Sequence, residues 1–181
     1  MHQRLRESTA RARPGFSLTE LIAVMVILGA LAATAAPAVR SMTSAGQGSM
    51  ARQLVRQLEL ARAYATASGQ PTGVLYDSDA NALLLRRIAT DGGAPTPVPG
   101  PLGATYDDLL LNAVHPSTTV TGFTTGDGDP SHRAVWFSFD GTPEVRDADG
   151  ALVTGFTQDA VITTSGDHAV TVRMSTGAIE G

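Results

Sequence analysis

Hydrophobic and polar residues follow three successive patterns along this chain. From Phe16 the sequence FSLTELIAVMVILGALAATAA runs for 21 residues with Glu20 as its only charge. At about 1.5 Å per residue, a helix of that length covers the roughly 30 Å hydrocarbon core of a bilayer, so the first pattern predicts a membrane span. Beyond Pro37 the helical pattern weakens through Thr43 to Ser49, where Gly46 and Gly48 each cost about 1 kcal/mol against Ala. It then returns. Met50, Leu54, Leu58, Ala61 and Ala65 recur three and four apart, with Arg52, Arg56 and Glu59 off that line, which predicts an amphipathic helix with one face to bury. Ser68-Gly69-Gln70-Pro71 predicts its end, with Gly just past the last turn and Pro following.

After Pro71 the period shortens to that of strands. Gly73 to Tyr76 and Ala82 to Ile88 read as a hairpin around the turn-forming Asp77-Ser78-Asp79-Ala80-Asn81. Further short strands are predicted over Thr118 to Thr121, Ala134 to Phe139, Ala151 to Thr154, Ala160 to Thr164 and Ala169 to Met174. Trp136, Phe137 and Phe139 fit a strand of the β core better than a stacking platform for bases. Residues 89–105, with Pro95, Pro97, Pro99 and Pro101, lack ladder donors and read as a surface loop. The fold class is therefore α+β: a long N-terminal helix, half in membrane and half amphipathic, packed on a small antiparallel β domain. Its divisions are a basic leader 1–15, a membrane helix 16–39, an amphipathic helix 40–69 and a β domain 70–181.

Charge orients this arrangement. The formal charge is −4, but residues 1–15 hold Arg4, Arg6, Arg11 and Arg13 against Glu7, a local +3 that leaves −7 for the rest. Arginines ahead of the first span stay on the cytoplasmic side, which sends the C-terminal region outward. An acidic remainder repels phosphate and argues against nucleic acid as a partner. With no cysteine there is no disulfide framework or thiolate site, and with no lysine no phosphate-binding P-loop.

Candidate catalytic and metal chemistry is sparse. His115, His132 and His168 lack companions at i+3 or i+4, and Asp77-x-Asp79-x-Asn81 begins like a calcium loop but has Ala82 for its turn glycine and Ile88 for its terminal Glu. Asp127-Gly128-Asp129 and Asp147-Ala148-Asp149-Gly150 fit ordinary turns, with calcium as the alternative. Ser131-His132 is no triad, since neighbouring side chains diverge and no nucleophile elbow is present. No enzymatic activity, metal or cofactor is expected.

Glu20 is the charge that needs a reason. A carboxylate at the centre of a span costs about 2.5 to 3.5 kcal/mol, less near a helix end, where the helix dipole favours it. It belongs to Gly15-Phe16-Ser17-Leu18-Thr19-Glu20-Leu21, behind a basic leader and ahead of an apolar run, and here the chain resembles the prepilin family. The resemblance implies that Gly15 is the last leader residue, cut by prepilin peptidase, and that Phe16 becomes the N-methylated N-terminus. It implies that Glu20 neutralises the terminal ammonium of a neighbouring subunit, a pair gaining roughly 4 kcal/mol at 4 Å and an effective dielectric of about 20, before desolvation. Gly29 and Pro37 fall where pilin helices loosen in the filament, and Pro37 lacks an amide hydrogen.

The implied partners are other pilin-like subunits, prepilin peptidase, an inner-membrane assembly platform and membrane lipid. The implied place is a bacterial inner membrane, single-pass, with the C-terminal domain periplasmic. The soluble part, with LVRQLELARAY, GVLYD, WFSFDGTPE and VTVRMSTGAIEG, resembles the minor pseudopilin H of type II secretion and FimT-like minor pilins. Ala61-Arg62, Phe137 to Gly141 and a terminal strand followed by Gly carry that likeness. Ser175 to Glu180 holds no arginine, unlike the DNA-binding members. The resemblance implies a structural subunit of a type II secretion pseudopilus or a type IV pilus, without deciding between them. The alternative is a β-rich binding or enzymatic domain behind an ordinary signal peptide cut near Ala33-Thr34-Ala35; a run of 21 residues is long for such a peptide and Glu20 is adverse within it.

Overall fold

The apolar and amphipathic stretches form one helix, α1 (Leu18–Ser68), in the computed structural model. It describes residues 17–89, 93–100, 104–106, 108–114, 118–166 and 168–181, except for the side chains of 34–47, 112 and 114. The weakening expected over Thr43 to Ser49 does not interrupt α1. Two glycines cost about 2 kcal/mol, and helix already formed on both sides propagates through them without a new nucleus. The end falls where Gly69 adopts a left-handed φ of 70° and its amide donates to the Ala65 carbonyl at 3.0 Å.

Contacts divide the chain into two units, Met1–Ser41 and Met42–Gly181. In the first unit every described side chain from Ser17 to Ala33 is exposed, on all faces of the helix. In the second, Met50, Ala51, Leu54, Leu58, Ala61 and Ala65 of α1 are buried against two antiparallel sheets. The spacing that predicts an amphipathic helix is thus the spacing of the core.

The first sheet contains β1 (Thr72–Asp77), β2 (Ala82–Arg87), β3 (Thr96–Pro97), β4 (Leu109–Leu110), β6 (Ala134–Phe137), β7 (Pro143–Arg146) and β8 (Leu152–Gly155). Its order is β3-β2-β1-β6-β7-β8, with β4 also on β2. A single turn of helix, α2 (Leu111–Val114), follows β4. The second sheet runs β11-β10-β9-β5, from β5 (Val120–Thr124), β9 (Ala160–Thr164), β10 (His168–Val172) and β11 (Ile179–Glu180). Val74, Leu83, Leu85, Val135 and Phe137 of the first sheet meet Ala160, Ile162, Val170 and Val172 of the second in one core with α1.

The β1–β2 hairpin closes on Asn81, whose φ of 47° suits asparagine. On the opposite face of the first sheet, Trp136 packs with Ile88, Ala134 and Leu75. Gly73 lies opposite Trp136, and a Cβ there would sit 2.6 Å from the indole ring, so the glycine makes room for it.

Three expectations need correction. The proline-rich stretch is not wholly a loop, because β3 pairs Thr96 and Pro97 with Arg87 and Arg86, Pro99 bridges to Thr105, and Val98 is buried. Proline is tolerated there because β3 is an edge strand, where a missing N–H takes nothing from the ladder. Phe139 lies beyond the end of β6 and is 64% exposed, whereas Trp136 and Phe137 are core residues. The strand expected at Thr118 to Thr121 runs instead from Val120 to Thr124, around a bulge before Gly122.

Candidate functional site

The N-terminal candidate site begins where α1 begins. Glu20 occupies the first turn, and its amide donates to the Ser17 hydroxyl at 3.2 Å and to the Ser17 carbonyl at 3.1 Å. Ser17 is therefore the N-cap, and Ser17-Leu18-Thr19-Glu20 has the S-x-x-E spacing of a capping box. That spacing was present in the sequence and identifies Ser17 as a participant. The Glu20 side chain is exposed, as are Leu18, Leu21, Ile22, Val24, Met25, Val26, Ile27, Leu28 and Leu31 behind it. Burying a side chain of this size is worth about 1.5 to 3 kcal/mol. For the nine large apolar residues from Leu18 to Leu31 this amounts to roughly 13 to 27 kcal/mol that the isolated chain does not collect.

Gly15 and Phe16 lie outside the described residues. Gly29 is an exposed residue of α1 with open space where a Cβ would stand, and Pro37 lies within the span of α1, its side chain outside the description. Among the described residues no helix is long and apolar enough to cross a membrane. The described side chains of the apolar run end at Ala33, sixteen residues after Ser17.

The β domain places its acidic clusters in turns. Asp77 Oδ1 accepts the amides of Asp79 and Ala80, and Asp147 Oδ1 those of Asp149 and Ala151. Asp127 accepts from the Thr125 hydroxyl at 2.6 Å and from the Asp129 amide at 3.0 Å, and its Oδ2 lies 2.8 Å from His132 Nδ1. Partial burial works to raise the Asp127 pKa, but these bonds outweigh it and hold the carboxyl below its ordinary 3.8. Among the described residues no three His, Asp or Glu side chains form a group able to hold a metal, and no hydrogen bond joins the Ser131 hydroxyl to the His132 ring. At the end of β10, Arg173 is held by Glu180 at 2.7 Å and Asp159 at 2.8 Å, which raises its pKa further and leaves little of it for a phosphate.

A second feature joins segments far apart in sequence. Arg62 Nη2 donates to the Thr176 carbonyl at 2.9 Å. Gly141, in the β6–β7 turn, and Gly177, in the β10–β11 turn, have φ of 82° and 63°. A Cβ on Gly141 would approach Arg62 Nε to 3.2 Å, and one on Gly177 would approach the Gly141 carbonyl oxygen to 2.7 Å. The Ala61-Arg62 pair, the Phe137 to Gly141 segment and the turn before the terminal strand thus meet at one junction.

Residues 10–36 match the prokaryotic N-terminal methylation motif. The minor pseudopilin EpsH of the Vibrio cholerae type 2 secretion system matches with a TM-score of 0.48 at 18% identity, over 74% of this chain and 94% of that one. No curated protein matches the chain.

Proposed function

We propose that the chain is a minor pseudopilin or minor pilin, a structural subunit of a type II secretion pseudopilus or a type IV pilus, with no reaction of its own. The observation that carries this reading is Glu20, exposed in the first turn of an apolar helix and inside the methylation motif. In this reading prepilin peptidase cuts between Gly15 and Phe16, Phe16 is N-methylated, and the new ammonium meets Glu20 of a neighbouring subunit. The apolar helix holds the subunit in the inner membrane as a single span until an assembly platform passes it, with other pilin-like subunits, into the filament. There Gly29 and Pro37 let the intervening helix loosen, and the β domain faces outward on the periplasmic side. The acidic β domain disfavours nucleic acid.

The test has two parts. Intact mass and N-terminal sequencing of the mature protein should find methylated Phe16; a start near Ala36 with loss of the apolar run would replace this reading with a secreted domain. Glu20→Ala should leave membrane insertion intact and remove the subunit from sheared filaments. Unchanged incorporation would remove Glu20 from assembly.

A further inference from the structure

One groove of the β domain is lined by an arginine in a domain whose composition is acidic. Residues 70–181 contain five arginines against fourteen aspartates and glutamates. Arg86 is paired with Asp108, Arg146 with Glu144 and Arg173 with Asp159 and Glu180, while Arg87 donates to Gln70. Among the described residues Arg133 alone of the five has no partner for its guanidinium. It lines a groove of about 240 Å³ with Tyr76, Ser78, Phe123 and Pro130, and among the described residues no carboxylate contributes to that lining.

One wall of the groove is β5, the free edge of the second sheet. Among the described residues β5 pairs only with β9, so alternate N–H and C=O groups along it have no sheet partner there. The bulge that disturbs β5 lies before Gly122, and from Gly122 to Thr124 the register with β9 is regular. Gly122 lines the groove, has no left-handed φ, and a Cβ on it would make only an ordinary 3.5 Å contact with Thr163. Neither backbone conformation nor packing requires glycine there, and its consequence is a bare main chain beside the groove.

We propose that this groove binds an extended polypeptide segment, which adds as a strand to β5 and sets a carboxylate on Arg133. Main-chain bonds to the edge supply part of the affinity, and the guanidinium, which receives a carboxylate in a two-pronged fork, supplies the selection. The surrounding acidic surface limits the occupant to a sparsely charged segment: one Asp or Glu among uncharged, β-forming residues. A phosphate would meet the same guanidinium but leave the β5 edge unpaired.

The test uses the full chain in detergent micelles, observed by amide and arginine Nε–Hε NMR signals. The probes are the capped peptide Thr-Val-Asp-Val-Thr, its Asn counterpart, acetate and inorganic phosphate. The Asp peptide should shift Gly122, Phe123, Thr124 and the Arg133 side chain together, and bind about tenfold more tightly than the Asn peptide. Arg133→Gln should abolish that preference. Gly122→Val, which suits a strand, should keep the spectrum of the rest of the domain and lose the peptide. Any of four results overturns the proposal: no response to the Asp peptide at millimolar concentration, equal binding of the Asn peptide, full binding by Gly122→Val, or acetate and phosphate reproducing the whole response.

Discussion

Replacing Gly177 with Ala tests whether the Arg62 junction fixes the β10–β11 turn. Gly177 has a φ of 63°, a conformation that costs an L-residue about 1 to 2 kcal/mol. The new Cβ would also stand 2.7 Å from the carbonyl oxygen of Gly141, which belongs to a neighbouring turn and not to a flexible side chain. Relief requires the two turns to separate, at the roughly 1 to 3 kcal/mol typical of overpacking. The total is about 2 to 5 kcal/mol, which lowers the unfolding temperature by roughly 5 to 20 °C at about 2 to 4 °C per kcal/mol for a chain of this size. Trp136 is the only tryptophan and is buried in the β domain, so near-UV circular dichroism reports that unfolding directly. Gly155→Ala is the control, since Gly155 has no left-handed φ and nothing within 4 Å of a Cβ. Arg62→Ala should destabilise less, through loss of the bond to Thr176, and less than additively with Gly177→Ala because both open the same junction. Unfolding of Gly177→Ala at the wild-type temperature would refute this account of the junction.

Two further outcomes follow from charges in the β domain. Glu144 is 7% exposed and accepts from Arg146 Nε at 2.5 Å, so Glu144→Leu should cost about 3 to 5 kcal/mol by stranding a poorly hydrated guanidinium. Glu144→Leu/Arg146→Met should recover most of that loss in urea unfolding, and failure to recover would point to shape instead of charge. Asp127 is held below its ordinary 3.8, so its ionised form contributes stability above that value and loses it as pH falls through the lower native pKa. Asp127→Asn should therefore be less stable than wild type at neutral pH, with the gap shrinking progressively in urea midpoints taken below 3.8. A gap that stays constant into strong acid would show that the carboxylate charge is not what stabilises the loop.

The parts of the fold legible in the sequence are those where one periodicity repeats several times. The Met50 to Ala65 spacing became the buried stripe of α1, and Gly69 became its left-handed end. The strands that escaped notice, β3, β4 and β7, have two to four residues each, too few for an alternation to show. Proline hid β3 because a ladder rule applies to central strands and not to an edge. The Arg62 junction was invisible for another reason: its parts are 79 and 115 residues from Arg62 along the chain, and only the packed sheets bring Gly141 and Gly177 together. Arg133 looked like any other arginine until the pairing of the other four was known.

Glu20 shows how far an internal account of a charge reaches. Its amide is satisfied by Ser17, and its carboxylate gains about 0.3 to 1 kcal/mol from the dipole of its own helix. Immersion in an apolar environment costs up to about 2.5 to 3.5 kcal/mol at full depth. The dipole offsets a fraction of that, so the residue is tolerable in α1 but not favoured by it. A terminal ammonium about 4 Å away would contribute roughly 4 kcal/mol at an effective dielectric near 20, enough to reverse the sign before its own desolvation is counted. The nine exposed apolar side chains from Leu18 to Leu31 lead to the same conclusion, since they too gain only from surroundings the isolated chain does not provide. Under the proposed function, lipid and then a neighbouring subunit would supply what both the charge and the apolar surface of this helix lack.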